Sequence, residues 1–265
     1  MGTTLNQDNR FLKFIEALED LWERSGPPAK LADFDAILEL SRELTSTQAD
    51  RVRLCEDSAD FIQADQHPRG MSYKHQHGFS KLSLYRSPKH QFNVRTHIWW
   101  DSELSDESPH EHRWPFCSTL LSGALRVANF VIAEEDGPNS TAGETVPHVQ
   151  HKFYDADKAG DKAVEIVKQV ELMCAAKVRI VAGSQHMLWH DQPHQVFGEG
   201  GEVSATFLIT GAACREFSNV YRGMSFESKK RELAGKHMTA DQIADELRLY
   251  AREIEKPGQK QASAA

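Results

Sequence analysis

The residues best suited to chemistry are three histidines. His110 and His112 lie in Ser108-Pro-His-Glu-His-Arg-Trp-Pro-Phe116, Gly123 follows, and Gln192-Pro193-His194 comes far downstream. In a β-strand, residues i and i+2 point to the same face. His110 and His112 can therefore aim two imidazoles at one point. A third imidazole, from His194 on a facing strand, would close a metal site with positions left open for substrate. Imidazole suits Fe, Zn, Cu and Ni, so these ligands alone do not select the metal.

Such a site needs rigid strands to hold it. After His67-Pro68-Arg69-Gly70, short runs rich in Val, Ile, Phe and Trp alternate with turn clusters, as in Phe92 to Trp100, Leu125 to Ile132 and Val203 to Ile209. That rhythm predicts a β-barrel or sandwich. Residues 1–70 read as a helical arm, with amphipathic helices at about 8–24, 32–45 and 47–65. Asp8 or Asn9 can cap the first, and Gly26-Pro27-Pro28 ends it. Residues 71–225 hold the barrel, with a long polar insertion at about 133–162 that reads as a flap or a loose loop. Residues 226–265 carry a last helix, which starts near Thr239 with Gln242 in a capping box, and a tail. The terminal helices are expected to cover barrel edges or to form a homodimer interface.

Composition narrows the function classes. The net charge is −8, and charged residues make up 26% with no basic stripe, which argues against nucleic acid as a partner. No apolar run reaches the roughly twenty residues that span a bilayer. Cys55, Cys117, Cys174 and Cys214 form no C-x-x-C pair, and no secretory signal is visible, so a cytoplasmic protein with free thiols is expected.

The His-x-His pair, the Gly at the next turn, the Ala182-Gly183 turn and the later Pro-His resemble the two motifs of the cupin superfamily. That resemblance implies a double-stranded β-helix (jelly-roll) barrel with the helical arm before it and the C-terminal helix after it. Cupins often add a glutamate after the second histidine; here Phe116 or Cys117 stands in that place. The expected site is therefore three neutral histidines, which would leave a divalent ion its full charge and favour an anionic ligand such as a thiolate or carboxylate.

Three-histidine cupins of this layout are similar to the cysteine dioxygenase family of thiol dioxygenases, and Phe92-Asn-Val-Arg-Thr-His-Ile-Trp99 resembles the strand before that family's metal motif. The resemblance implies a non-haem Fe(II) dioxygenase that uses O2 on a small anionic substrate. Zn, Ni, Cu or Mn are the other metals such a site could hold. The family's carboxylate-binding Arg is replaced here by Phe79-Ser-Lys81, which gives Lys81 that role as a point charge. Cys117 lies near a crosslinking Cys of some members, but the late strand from Ser204 to Thr210 offers no Tyr, and an apolar residue such as Phe207 replaces the non-ligand His that the family places beside the metal there. A divergent relative is the expectation, with His97, Arg113 and Trp114 as further candidate substrate contacts. The alternatives are a non-redox Zn or Ni lyase, isomerase or hydrolase, and a cupin that binds a small molecule without turnover. His75-Gln-His77, His148, His151, His186 and His190 are the competing histidines, read mainly as surface or turn residues.

Overall fold

Asn9, not Asp8, caps the first helix: its side chain accepts from the Leu12 amide at 2.8 Å and donates to the Asp57 carbonyl at 2.7 Å. The structure, a computed structural model, describes residues 6–64, 70–75, 78–100, 107–133, 144–154, 164–199, 201–224 and 237–256. Helices α1 (Arg10–Ser25), α2 (Asp35–Thr45) and α3 (Gln48–Gln63) precede the strands, and α4 (Ala240–Glu255) follows them. Thr47 with Asp50 and Thr239 with Gln242 form the capping boxes of α3 and α4.

Among the described residues, eleven strands form two antiparallel sheets. They are β1 (Tyr73–Lys74), β2 (Phe79–Arg86), β3 (Asn93–Trp99), β4 (Phe116–Ser122), β5 (Ala124–Ala133), β6 (Thr145–Tyr154), β7 (Val164–Val181), β8 (Gln185–Leu188), β9 (His194–Gly198), β10 (Ser204–Thr210) and β11 (Phe217–Gly223). The first sheet has the order β1-β2-β3-β10-β4-β8, and the second β11-β6-β7-β5-β9. The predicted mainly-β architecture with flanking helices is thus present. One expectation changes. The polar stretch at 133–162 contains β6, which pairs with both β7 and β11, so its described part is sheet and not a loop. Its sequence concealed this because exposed strands carry polar and charged residues on their solvent side.

The first sheet separates two environments. On one face Leu82, Leu84, Val94, Ile98, Phe207 and Ile209 pack in a single core with Phe11, Leu18 and Trp22 of α1 and Leu247 of α4. Full burial of each such side chain contributes about 1.5–3 kcal/mol. The arm is therefore part of the barrel's own core. Arg51 of α3 donates to the Leu121 carbonyl at 2.9 Å, and Tyr250 of α4 donates to Ser122 Oγ at 2.7 Å, so both helices are also bonded to β4. The opposite face, which includes Lys81, Arg95, His97, Trp99, Phe116 and Ser118, lines a cavity of about 390 Å³.

Gly123 makes the β4–β5 turn with φ 67°, and a Cβ there would meet Ser204 Oγ at 2.2 Å and the Val203 carbonyl oxygen at 2.9 Å. Both the backbone conformation and the space require glycine at this position.

The short segment from Pro109 to Glu111 bridges the two outer strands of the second sheet. His110 bridges His194 of β9 on one side and Val220 of β11 on the other. The Glu111 amide donates to the Asn219 carbonyl and the Tyr221 amide to the Pro109 carbonyl, each at 2.8 Å. This segment thus closes the sheet on itself, which protects two edges that would otherwise be open.

Candidate metal centre

Main-chain pairing brings the first and third histidines together. The His110 amide donates to the His194 carbonyl at 2.9 Å, and the His194 amide donates back to His110 at 2.9 Å. His112 joins them from the same segment two residues on. One ligand nitrogen from each of His110, His112 and His194 lies within 4.8 Å of the others, and His112 Nε2 is 3.2 Å from His194 Nε2.

The tautomers are set by the backbone. His110 Nδ1 lies 3.1 Å from the Ser108 carbonyl and His194 Nδ1 lies 3.2 Å from the Gln192 carbonyl. A carbonyl accepts only, so each Nδ1 carries the proton and each Nε2 presents a lone pair to the centre. Burial, together with the neighbouring imidazoles, keeps His112 and His194 neutral, with pKa values well below the usual histidine range. Converging lone pairs on neutral, oriented imidazoles fit a divalent metal ion, and fixing the distal nitrogen is a common way to orient such a ligand.

Aromatic rings fix the remaining orientation. Trp114 stacks on His112 with centroids 4.4 Å apart and planes 10° apart. Phe116 occupies the place where a motif glutamate was sought and packs edge-on to His112 at 5.2 Å. A carboxylate comes from the other direction: Glu107 Oε1 lies 3.8 Å from His110 Nε2 and faces the cavity. The mutually close group is nonetheless the three histidines alone, as expected from the absence of a carboxylate at Phe116 and Cys117. The signal for Glu107 was weak, since it precedes Ser108-Pro109 outside any strand pattern.

The buried Glu111 between His110 and His112 turns its carboxylate toward β11 and Arg215. Its carboxylate is 2.6 Å from Arg215 Nη2, accepts from Asn219 Nδ2 at 2.8 Å and accepts the Tyr221 hydroxyl. Arg215 also donates from Nε to the His112 carbonyl at 2.9 Å and from Nη2 to the His190 carbonyl at 2.7 Å. One guanidinium therefore braces the His-x-His segment against the turn that leads to His194.

The other predicted residues divide into two groups. Lys81, His97 and Trp114 line the cavity. Lys81 Nζ is 3.4 Å from the Tyr73 hydroxyl and lies over that ring. Cys117 and Arg113 are not among the lining residues. Cys117 is fully buried in the core shared with the helices, and burial pushes its thiol pKa far up, so its placement offers no support for a reactive thiol. Among the competing histidines, His75 and His186 reach the cavity wall, His148, His151 and His190 do not, and His77 lies outside the described residues. Arg95 lines the cavity as well, beside His97 and Trp99 with which it alternates on one strand face.

His97 gives a pH-dependent expectation. It is half-buried, its enclosed Nε2 has no hydrogen-bond partner, and desolvation with Lys81 and Arg95 nearby keeps its pKa well below 6.5. Below pH of about 6.5 the unfolded chain takes up a proton that the folded chain refuses. Stability from this group is full above that pH and is lost as the pH falls toward the folded value, by up to about 1.4 kcal/mol per pH unit. Urea unfolding at pH 7.5 and 5.5 should show this loss, and His97→Gln should reduce the slope; an unchanged slope would show that His97 does not cause it.

No protein-family model matches the sequence, and no curated protein matches it. Solved structures that align with the chain include the cupin domain of Schizosaccharomyces pombe Cnp3, at 7% identity over 51% of this chain and 61% of that one, with a TM-score of 0.29. The chain thus spans less than two thirds of that relative. An oxalate oxidase aligns at 12% identity over 52% of this chain and 53% of its own, with a TM-score of 0.30. The polyketide cyclase RemF from Streptomyces resistomycificus aligns at 9% identity over 59% of this chain and 81% of its own, with a TM-score of 0.32. At such scores the likeness carries nothing about activity. Among the described residues no helix is long and apolar enough to cross a membrane.

Proposed function

We propose that this chain is a metal-dependent oxygenase of the cupin type, related in chemistry to the thiol dioxygenases, which acts on a small anionic substrate with O2. The observation that carries this reading is the convergence of three oriented imidazoles, His110, His112 and His194, on one wall of a cavity that also holds the cations Lys81 and Arg95. Iron(II) bound there would supply the redox chemistry and a Lewis-acidic position for an anionic donor.

The protein's own residues supply ligation, orientation and exclusion of water. His110 and His194 hold their Nε2 lone pairs inward through bonds to backbone carbonyls. Phe79, Trp99 and Phe116 wall the cavity with apolar surface, which strengthens electrostatic contacts inside it. Lys81 adds a positive charge to that wall, and His97, neutral and without a partner on Nε2, can exchange a hydrogen bond with a bound substrate.

The same nitrogens also suit Zn or Ni, and the Glu107 carboxylate beside His110 would serve a non-redox reaction as a general base. The discriminating experiment is anaerobic reconstitution with Fe(II), followed by oxygen-electrode measurements with mercaptocarboxylic acids and simple carboxylic acids. Metal-dependent O2 uptake with at least one of them is expected. Absence of uptake with every thiol and small acid would remove the oxygenase reading and leave the Lewis-acid one.

A further inference from the structure

Tyr73, His75, Phe79, His97 and Trp99 place five rings along one wall of the cavity. Phe79 of β2 and Trp99 of β3 are paired directly across the first sheet, with centroids 5.0 Å apart. His97 packs on Phe79 at 5.2 Å and on Trp99 at 6.0 Å. His75 stacks on Phe79 at 4.4 Å with planes 18° apart, and Tyr73 lies 5.8 Å from His75. Leu125, Ile180 and Val196 of the second sheet pack against Phe79 and Trp99 and also line the cavity. This end of the cavity therefore has aromatic surface from one sheet and aliphatic surface from the other.

Two polar atoms interrupt that surface. Trp99 is 5% exposed, and its indole Nε1 is buried with no hydrogen-bond partner among the described residues. An indole nitrogen only donates, so what it lacks is an acceptor. His97 Nε2 is enclosed without a partner as well, and a neutral imidazole nitrogen can donate or accept. A buried indole N–H usually finds a partner. A volume of about 390 Å³ lies in the range of roughly 300–1,000 Å³ typical of pockets for larger organic ligands, above what an acid of a few carbons fills. A plain aliphatic chain would bury apolar area here but would gain nothing from ring geometry and would offer the indole no acceptor. An aromatic ring gains offset or edge-to-face contact with Phe79 and Trp99 beyond its buried area.

We propose that the ligand of this cavity is aromatic, with a ring seated against Phe79 and Trp99 and a hydroxyl or carbonyl oxygen on that ring at Trp99 Nε1 and His97 Nε2. This names the substrate class of the proposed function, and it rests on that reading only for the claim that the bound compound is turned over. Binding itself is testable without metal and with uncharged probes, so its failure is separable from a failure of O2 uptake.

The test is calorimetric titration of the metal-free full-length protein with phenol, cyclohexanol and benzene. Saturable phenol binding is expected, at least about threefold tighter than that of cyclohexanol, which keeps the hydroxyl and the size but has no aromatic face. Trp99→Phe keeps a ring and removes the N–H, so it should weaken phenol at least about threefold and leave benzene unchanged. No phenol binding, equal affinity for phenol and cyclohexanol, or unchanged phenol affinity in Trp99→Phe would overturn the proposal. Equal weakening of phenol and benzene in that variant would overturn it too, because the indole N–H would then hold no oxygen. The comparison of phenol with cyclohexanol uses the unaltered chain and stands even if the variant folds poorly.

Discussion

Replacement of His112 by alanine is expected to abolish stoichiometric metal binding while the chain stays folded. His112 is one of three histidines with a ring nitrogen within 4.8 Å of the others' nitrogens, and no other histidine belongs to that group among the described residues. Loss of an outer partner of a metal ligand typically costs ten- to a hundredfold in affinity, and loss of a ligand itself should cost more. Its ring contributes mainly contacts to Trp114 and Phe116 at the cavity wall, so the structural penalty should be modest. His148→Ala is the matched control, because His148 lies on β6 and does not line the cavity. Equilibrium dialysis with Zn²⁺ should then give one ion per chain for the unaltered protein and for His148→Ala, and none at the same free concentration for His112→Ala. Equal stoichiometry in all three would place the metal elsewhere.

The second large effect is expected at Glu111. Its carboxylate is 4% exposed and holds Arg215, Asn219 and Tyr221 together. Glu111→Ala would leave the Arg215 guanidinium, itself largely buried, without its counter-ion. Removal of one partner from a buried pair destabilises by about 3–5 kcal/mol. Chemical denaturation should show that loss as a lower midpoint with an unchanged slope. Because Arg215 also binds the His112 and His190 carbonyls, the variant should lose metal affinity as well, at least tenfold by analogy with other outer-sphere changes. A loss of stability below about 1 kcal/mol would mean that the network is a surface feature, of the kind usually worth little.

These two residues also mark what a sequence can and cannot disclose. The grouping of the three histidines was legible because each of its signals is local: two histidines at strand spacing, a glycine where φ is 67°, and a Pro-His turn. The helices were legible through their caps and apolar spacing, with Asn9, Thr47 and Thr239 at or beside the predicted starts. Glu111 could be assigned to the face opposite its neighbours by alternation alone, yet its partners Asn219 and Tyr221 come more than a hundred residues later, and only the closure of the sheet brings them near. The place of Arg95 at the cavity wall was hidden for a related reason. An arginine alternating with aromatic residues reads equally well on a wetted face, and its burial depends on the opposite sheet. β6 was missed because exposed strand positions lack the apolar alternation that marks a half-buried strand.

X-ray absorption at the zinc edge of the stoichiometrically loaded protein tests the central claim most directly. Three imidazole nitrogens at about 2.0–2.1 Å are predicted, with any remaining ligand an oxygen. A first shell with sulfur, or with fewer than three imidazoles, would contradict a centre built on His110, His112 and His194.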